Sequence, residues 1–351
     1  MVVGEIIDWS VAITPVLLMV ALFIWLDVFK LMTFTETMVL LMLGGLAALV
    51  AYPISGRMLD TLPIGFSTYS RFVAPWIEEA LKGLVIVALF AVNRIGFKLD
   101  AVISGFAVGA GFSVVENIVY LTRFPELGMN VWLVRGLGTA VMHGTTLAIL
   151  AAIAHELAER ETRGAAGDYG FNPLWFLPGF LAAVAIHTLF NQFPDRPLLA
   201  MMGTILLAPF ALLAILHLGA REAQHWLESE REVHRAMLET LRAGGFPQDA
   251  AGRRIAALAA RLGPDASRQM RDYWELQAWL VLKAEEILGG QPQDAEPCTA
   301  ADIASQFERL AALKRKLGPT MLATLLPLLP FSRNDYWEIA QLKERLEAGR
   351  I

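Results

Sequence analysis

Apolar and charged positions divide the chain into two parts of different character. Residues 1–219 consist of long apolar runs joined by short polar connections, whereas residues 220–351 mix charged residues with alanine and leucine at helical spacing. Roughly 20 consecutive apolar residues are enough for a helix to cross a bilayer. The pattern therefore predicts an all-α protein, with a polytopic transmembrane bundle followed by a C-terminal helical soluble domain.

Seven apolar runs predict about seven transmembrane helices. They cover residues 9–29, 36–54, 72–92, 100–121, 131–157, 174–193 and 197–218. Lys and Arg in the connecting loops divide almost evenly between the two sides, and the arginines after the last run favour a cytoplasmic C-terminus. Acidic Glu5 and Asp8 precede the first run, where a cleaved signal peptide would carry basic residues. We expect a multi-pass protein of the inner (plasma) membrane.

The charged part of the chain contains an internal repeat. Residues 254–264 resemble residues 309–319, and both segments end in Leu-Gly-Pro, a typical helix stop. The sequence Asp-Tyr-Trp-Glu at Asp272 recurs at Asp335. Each copy therefore predicts a helical hairpin whose Tyr-Trp pair lies in a core.

These patterns predict three domains. We expect a transmembrane domain over 1–219, a helical connector over 220–244 and a cytoplasmic helical domain over 245–351. Duplicated helical units usually bind partners, so a regulatory partner or homo-oligomerisation through the last domain is expected. The alternative is a passive solubilising appendage.

Composition argues against several classes of function. The net charge of −5 gives no sign of a nucleic-acid partner, and the single cysteine, Cys298, excludes an intramolecular disulfide and a Cys-rich zinc site. The chain has no His-Glu-x-x-His, Gly-x-Ser-x-Gly or Walker-type motif. His155, His217, His225 and His234 lie at span ends or in the tail, and we expect them to be interfacial or exposed, without a role.

Ionisable residues inside four of the apolar runs are the main functional signal. A charge near the bilayer centre costs about 2.5–3.5 kcal/mol on insertion scales, and a shared polar cavity would offset that cost. Their depths are compatible with one site in the outer half of the bilayer. The residues, in chain order, are Glu78, Glu79, Lys82, Glu116, His143, His187 and Asn191.

The residue types indicate hydrolysis. Two imidazoles and a carboxylate, here Glu116, His143 and His187, suit a zinc ion with an open fourth position for water. One of Glu78 and Glu79 would then be the general base, while the other supplies a second carboxylate. Lys82 would neutralise one carboxylate, and Asn191 would stabilise developing charge. The alternative needs no metal: a glutamate activates water directly and a histidine assists.

These motifs resemble the PrsW family of intramembrane proteases, within the superfamily that includes the CAAX prenyl endopeptidases. The matching segments are Glu78-Glu79-Ala80-Leu81-Lys82, Phe112-Ser113-Val114-Val115-Glu116, His143 and His187. Prenyl endopeptidases carry His where this chain has Glu116, and Arg one position later than Lys82, so both departures favour PrsW. The resemblance covers about residues 70–195. It implies cleavage of a membrane-anchored protein substrate, such as an anti-sigma factor, near the outer face.

Two other classes of function stay open at this point. The same buried Glu, His and Lys set is typical of a proton or cation pathway in a transporter. Many transporters contain an inverted repeat, which is not visible in residues 1–219. The third class is a catalytically inactive receptor whose tail is the active part.

Overall fold

The protein is helical throughout the residues described by the computed structural model. These residues are 2–26, 32–162, 171–193, 196–288 and 298–349. Within these ranges the chain forms helices, turns and loops, and no strand. This agrees with the predicted all-α class. The chain divides into two compact units, of which the first contains Met1–Ala158 with Phe171–Ala220, and the second contains the chain from Arg221 onwards.

The first unit is built from the helices that the apolar runs predict. They are α1 (Val2–Leu26), α2 (Phe34–Thr61), α3 (Phe66–Phe72), α4 (Ala74–Ala91), α5 (Lys98–Arg123), α6 (Met129–Leu133), a π-helical segment (Val134–Thr139), α7 (Ala140–Thr162), a 3₁₀ turn (Pro173–Trp175), α8 (Phe176–Phe190) and the start of α9 (Pro197–Arg242). The last apolar run and the predicted connector thus belong to one helix of 46 residues.

Within the described part of the chain, five helical segments are long and apolar enough to cross a membrane, by length and composition. They are Phe34–Thr61, Lys98–Arg123, Met129–Glu161, Pro173–Phe190 and Pro197–Ile215. The other two predicted spans fall on α1 and α4. The apolar part of α1 that can be assessed is Ile6–Ala21, and residues 27–29 of that prediction lie outside the described part of the chain. Helix α4 has 18 residues but includes three charged ones. The structure thus supports a multi-pass bundle, and the number seven stays a prediction.

Glycines on α5 let this helix approach two of its neighbours closely. A Cβ at Gly111 would collide with the backbone carbonyl of Leu41 on α2, and one at Gly109 with the carbonyl of His143 on α7. Small residues permit this close approach between helices in lipid. The backbone of α5 therefore lies directly against the turn of α7 that carries His143.

The second unit is a helical domain with its own core. It contains the end of α9, then α10 (Ala250–Leu262), α11 (Pro264–Leu288), α12 (Ala300–Leu325), a 3₁₀ turn (Leu326–Leu328) and α13 (Arg333–Glu347). Its core includes Met237, Tyr273, Trp274, Leu310 and Phe331.

The two Leu-Gly-Pro segments share a backbone conformation but continue differently. Gly263 has φ 92° and ψ 173°, and Gly318, where α12 is broken, has φ 76° and ψ 163°. Positive φ is adopted readily by glycine alone, so both helices stop there. The first Asp-Tyr-Trp-Glu then lies within α11, whereas the second lies in the first turn of α13. A duplicated hairpin that packs as a pair stays a prediction.

Two of the four peripheral histidines, which were expected to be interfacial or exposed, are buried within the protein. His155 is 5 % exposed and its Nε2 lies 3.0 Å from the carbonyl oxygen of Gly96, while His234 is 3 % exposed. The side chains of His217 and His225 lie outside the described part of the structure. Both buried rings pack against helices that are far away in sequence, so the local pattern around them gave no sign of burial.

Candidate active site

Helices α4, α5, α7 and α8 bring six of the seven predicted site residues together. Helix α4 begins at Ala74-Pro75, and proline in the first turn suits a helix start because its missing N–H has no partner there. The following turns carry Glu78, Glu79 and Lys82. Helices α5, α7 and α8 contribute Glu116, His143 and His187, respectively.

Glu79 is the most enclosed carboxylate of the cluster. Its side chain is fully buried, and its Oε1 accepts from Lys82 Nζ at 2.6 Å and from His187 Nδ1 at 2.8 Å. The hydroxyl of Thr146 adds a contact to Oε2 at 3.3 Å. A buried carboxylate needs such donors to offset its desolvation. Because its oxygens are occupied, Glu79 is suited to hold its neighbours in place rather than to accept a proton from water.

His143 connects Lys82 to Glu116. Its Nδ1 lies 2.8 Å from Lys82 Nζ, and its Nε2 lies 3.2 Å from Glu116 Oε2. An ammonium has only donors, so the hydrogen-bond network assigns Nδ1 as the acceptor and places the proton on Nε2, which donates to Glu116. The order Lys82, His143, Glu116 is therefore a continuous line of proton-carrying groups.

Glu116 also meets an arginine that the sequence analysis did not single out. Arg135 Nη2 lies 3.0 Å from Glu116 Oε2, and Arg135 Nε donates to the side-chain oxygen of Asn117 at 3.1 Å. The guanidinium also lies 3.5 Å from the centre of the Tyr120 ring. Arg135 belongs to the π-helical segment that precedes α7, and such segments often occur at functional sites. A charge within the predicted fifth span was the signal that could have revealed it.

Glu78 Oε2 and His187 Nε2 face each other. Nδ1 of His187 lies 2.8 Å from Glu79 Oε1, and a ring that carries its proton on Nδ1 alone has a free lone pair on Nε2. That Nε2 lies 3.8 Å from Glu78 Oε2. Two zinc ligands at about 2.0–2.1 Å in tetrahedral geometry are about 3.4 Å apart. The two atoms are thus placed as the ligands of one cation would be.

Three donor residues fit a metal ion by their geometry. Glu78, His143 and His187 each offer one ligand atom, and these atoms lie within 4.8 Å of one another. The two imidazole rings are perpendicular, with their centres 4.9 Å apart. The contact between His187 and Glu79 is the carboxylate–histidine pair that commonly orients a metal-bound imidazole. The set of two imidazoles and one carboxylate is that of catalytic zinc sites.

Comparison with protein families agrees with this geometry. The family model of the PrsW family intramembrane metalloproteases matches residues 14–216, which include every residue of the cluster. The chain belongs to the PrsW family. No curated protein and no solved structure gives a significant match.

Family membership establishes the general activity of this PrsW protease. It is an intramembrane protease, and its substrate is therefore a membrane protein in the lipid bilayer. Its several apolar helices make it a multi-pass membrane protein. The match gives no support to the transporter alternative.

Asn191 is the one predicted residue that the structure does not bring into the cluster of this PrsW protease. It caps the end of α8, and its side-chain amide donates to the carbonyl oxygen of Ser70 at 2.8 Å. The contact ties the end of α8 to α3. Its expected role in stabilising an oxyanion has no support from this arrangement, because its donor is directed to the backbone.

Proposed function

We propose that this PrsW protease hydrolyses peptide bonds of membrane-anchored proteins with a metal ion held by Glu78, His143 and His187. The observation that supports this most is the 3.8 Å separation between His187 Nε2 and Glu78 Oε2, a spacing that suits two ligands of one cation. The ligand set predicted from the sequence contained Glu116 in place of Glu78. We favour Glu78 as the ligand because the negative charge of Glu116 is already paired with Arg135.

Glu116 is then the general base. Its Oε2 lies 3.2 Å from Nε2 of His143, one of the proposed ligands, so it would lie beside a water on an ion held there. The side chain of Glu116 is 20 % exposed, whereas that of Glu79 is completely enclosed. Glu116 can therefore receive a proton from an attacking water and pass it to the leaving amide nitrogen.

Zinc would supply a more acidic water and polarise the scissile carbonyl. Around it, Glu79 is a positioning residue, because it fixes the tautomer and orientation of His187 through Nδ1. Lys82 supplies the positive charge that keeps Glu79 ionised in a buried place. The rest of the cluster consists of enclosed side chains, which leaves Glu78 and Glu116 as the groups open to a substrate.

The proposal extends to the substrate, the membrane and the topology of the protein. The resemblance to PrsW proteases favours a membrane-anchored anti-sigma factor as the substrate, cleaved in a regulatory first step. The arginines after the last apolar run favour an inner-membrane protein whose C-terminus is cytoplasmic. Seven spans, with α1 and α4 included, would place the N-terminus on the opposite side. The duplicated 245–351 region is proposed to recruit a regulatory partner or a second copy.

Cleavage by the purified full-length protein tests the proposal. The protein is reconstituted in liposomes with a panel of tagged single-pass substrates, and fragments are measured before chelation, after chelation and after zinc is restored. We expect cleavage to depend on zinc and to be lost in Glu78→Gln. The matched control is Glu156→Gln on α7, whose carboxylate pairs with Lys98 at 2.8 Å. It lies 13 residues after His143, about 20 Å along the helix.

The same experiment distinguishes the metal-dependent mechanism from one in which a glutamate activates water without a metal. If chelation leaves cleavage unchanged while Glu78→Gln abolishes it, Glu78 activates water without a metal, and the metal part of the proposal is wrong. Cleavage that survives both treatments would mean that the cluster is not the active site.

A further inference from the structure

The second unit contains a buried group of metal-binding side chains that the protease activity does not use. His234 lies on α9, Glu285 on α11 and Asp335 on α13, so three separate helices contribute to it. All three residues are 2–3 % exposed. One ligand atom of each lies within 4.8 Å of the others. The group is therefore a place where three helices of the tail meet through ionisable groups.

The contacts of the group leave one carboxylate oxygen without a hydrogen bond. His234 Nδ1 lies 2.8 Å from Glu285 Oε1, and His234 Nε2 lies 3.8 Å from Asp335 Oδ2. Asp335 Oδ2 also accepts from the backbone N–H of Ser332, as part of the capping box that starts α13. Glu285 Oε2 is buried and has no hydrogen-bond partner among the residues that the structure describes. A buried carboxylate oxygen of this kind fits a bound ion or water.

The group also places two carboxylates around one imidazole. A cation, Arg231, lies near them, with its Nε 3.8 Å from Glu285 Oε2. Buried charges persist when they are paired or coordinate a metal. A divalent cation would offset both carboxylates at once.

We propose that His234, Glu285 and Asp335 bind a divalent transition-metal ion in the second unit. An imidazole with two carboxylates suits Zn²⁺ and similar ions, whereas Ca²⁺ and Mg²⁺ prefer oxygen ligands alone. The enclosure of all three residues is typical of a structural site. The ion links the end of α9 to α11 and α13, and Glu285 Oε2 is available as a further ligand atom.

The site distinguishes the two copies of the sequence repeat. Asp335 in the second copy corresponds to Asp272 in the first, which is half-buried and lies within α11. Because the second copy starts a new helix at this point, its aspartate lies at a helix start close to His234 and Glu285. The metal site is thus a property of the second copy and not of the repeat in general.

Metal content of the full-length protein tests this site apart from the one in the membrane. Protein that carries Glu78→Gln, His143→Ala and His187→Ala is purified in detergent, stripped with a chelator and titrated with Co²⁺. We expect one equivalent of bound Co²⁺, with the visible absorption of a low-symmetry site, and a higher temperature of thermal unfolding. No bound metal would overturn the proposal, since the group would then be an imidazolium between two carboxylates.

A matched pair of variants locates the bound ion. In the same background, Glu285→Gln should lose the Co²⁺ equivalent and its thermal shift. The control is Glu286→Gln, its neighbour on α11, whose carboxylate pairs with Lys283 at 2.6 Å; it should keep both. Equal Co²⁺ binding by the two variants would show that the ion lies elsewhere and would contradict the assignment. Neither readout depends on proteolysis, so the result is independent of the proposed mechanism.

Discussion

The two units each contain a buried histidine between carboxylates, yet the surroundings of these groups differ. In the membrane unit, two fixed cations, Lys82 and Arg135, contact the carboxylates at 2.6 Å and 3.0 Å. In the second unit, the cation near Glu285 is Arg231, at 3.8 Å. Two of the three membrane carboxylates, Glu79 and Glu116, therefore each contact a fixed cation directly, whereas the nearest fixed cation recorded for Glu285 is further away.

The two groups also differ in access. The side chains of Glu78 and Glu116 are 15 % and 20 % exposed, whereas the three tail residues are almost completely enclosed. Catalytic zinc sites keep one position open for water, and structural sites are closed. Similar residue types are therefore expected to form a catalytic site where the surrounding helices leave access, and a structural site where they enclose the group.

The largest expected effect is on the cleavage rate, which should depend on the membrane cluster and not on the tail cluster. Glu78→Gln should lower the cleavage rate by a factor of roughly 10²–10⁴, the range typical of a lost acid, base or ligand function. Glu285→Gln should leave the cleavage rate close to that of the unaltered protein. Single-turnover cleavage of one tagged substrate measures both. A loss of cleavage in both variants would break the distinction between a catalytic and a structural group.

The next effect concerns stability. Lys82→Met leaves Glu79 charged and fully buried without its closest cation, which should cost about 3–5 kcal/mol. Arg231→Met removes a cation that is partly exposed and further from its carboxylate. The free energy of unfolding should therefore fall by only about 0–1 kcal/mol. Thermal unfolding in detergent compares the two variants. Equal destabilisation would show that the two groups are balanced in the same way.

Arg135→Gln should have a smaller effect on cleavage. The substitution removes a charged contact to Glu116, which is worth about 1.5–3 kcal/mol, so the rate should fall by a factor of roughly 10 to 150. Arg135→Lys should recover part of this loss, because a positive charge is restored. A positioning role predicts a change in the pH profile of kcat as well. An unchanged profile with reduced protein yield would indicate a role in folding alone.

Asn191→Ala should have the smallest effect of the four. Its amide donates to the backbone of Ser70, so its loss removes one hydrogen bond worth about 1 kcal/mol of stability. The cleavage rate should change by no more than a few-fold. A loss comparable with that of Glu78→Gln would place Asn191 at the reacting carbonyl after all, as the sequence analysis expected.

The sequence predicted an all-helical membrane bundle. From burial cost and depth it also predicted one shared site, into which the structure brings Glu78, Glu79, Lys82, Glu116, His143 and His187 but not Asn191. It could not assign their partners. Glu78 and Glu79 are adjacent and therefore point about 100° apart around α4, so their roles depend on the rotation of the helix in the bundle. That rotation is set by packing between helices distant in sequence.

The residues that the sequence analysis missed illustrate two other limits. Arg135 was visible as a charge inside an apolar run, but its partner Glu116 lies on another helix. His234 belongs to a charged, helix-forming stretch that looks solvent-exposed, and its burial arises from α11 and α13, more than 50 residues away. Local patterns report the element that a residue belongs to, and not the neighbours that enclose it.

Metal content and cleavage of the same preparations test the central claim most directly. In a Glu285→Gln background, which removes the proposed tail site, the protein should bind one metal ion through the membrane cluster and cleave its substrate. With Glu78→Gln added, both the metal and the cleavage should be lost together, as measured by elemental mass spectrometry and fragment release. Full cleavage by a preparation that contains no metal, or by the double variant, would contradict the account.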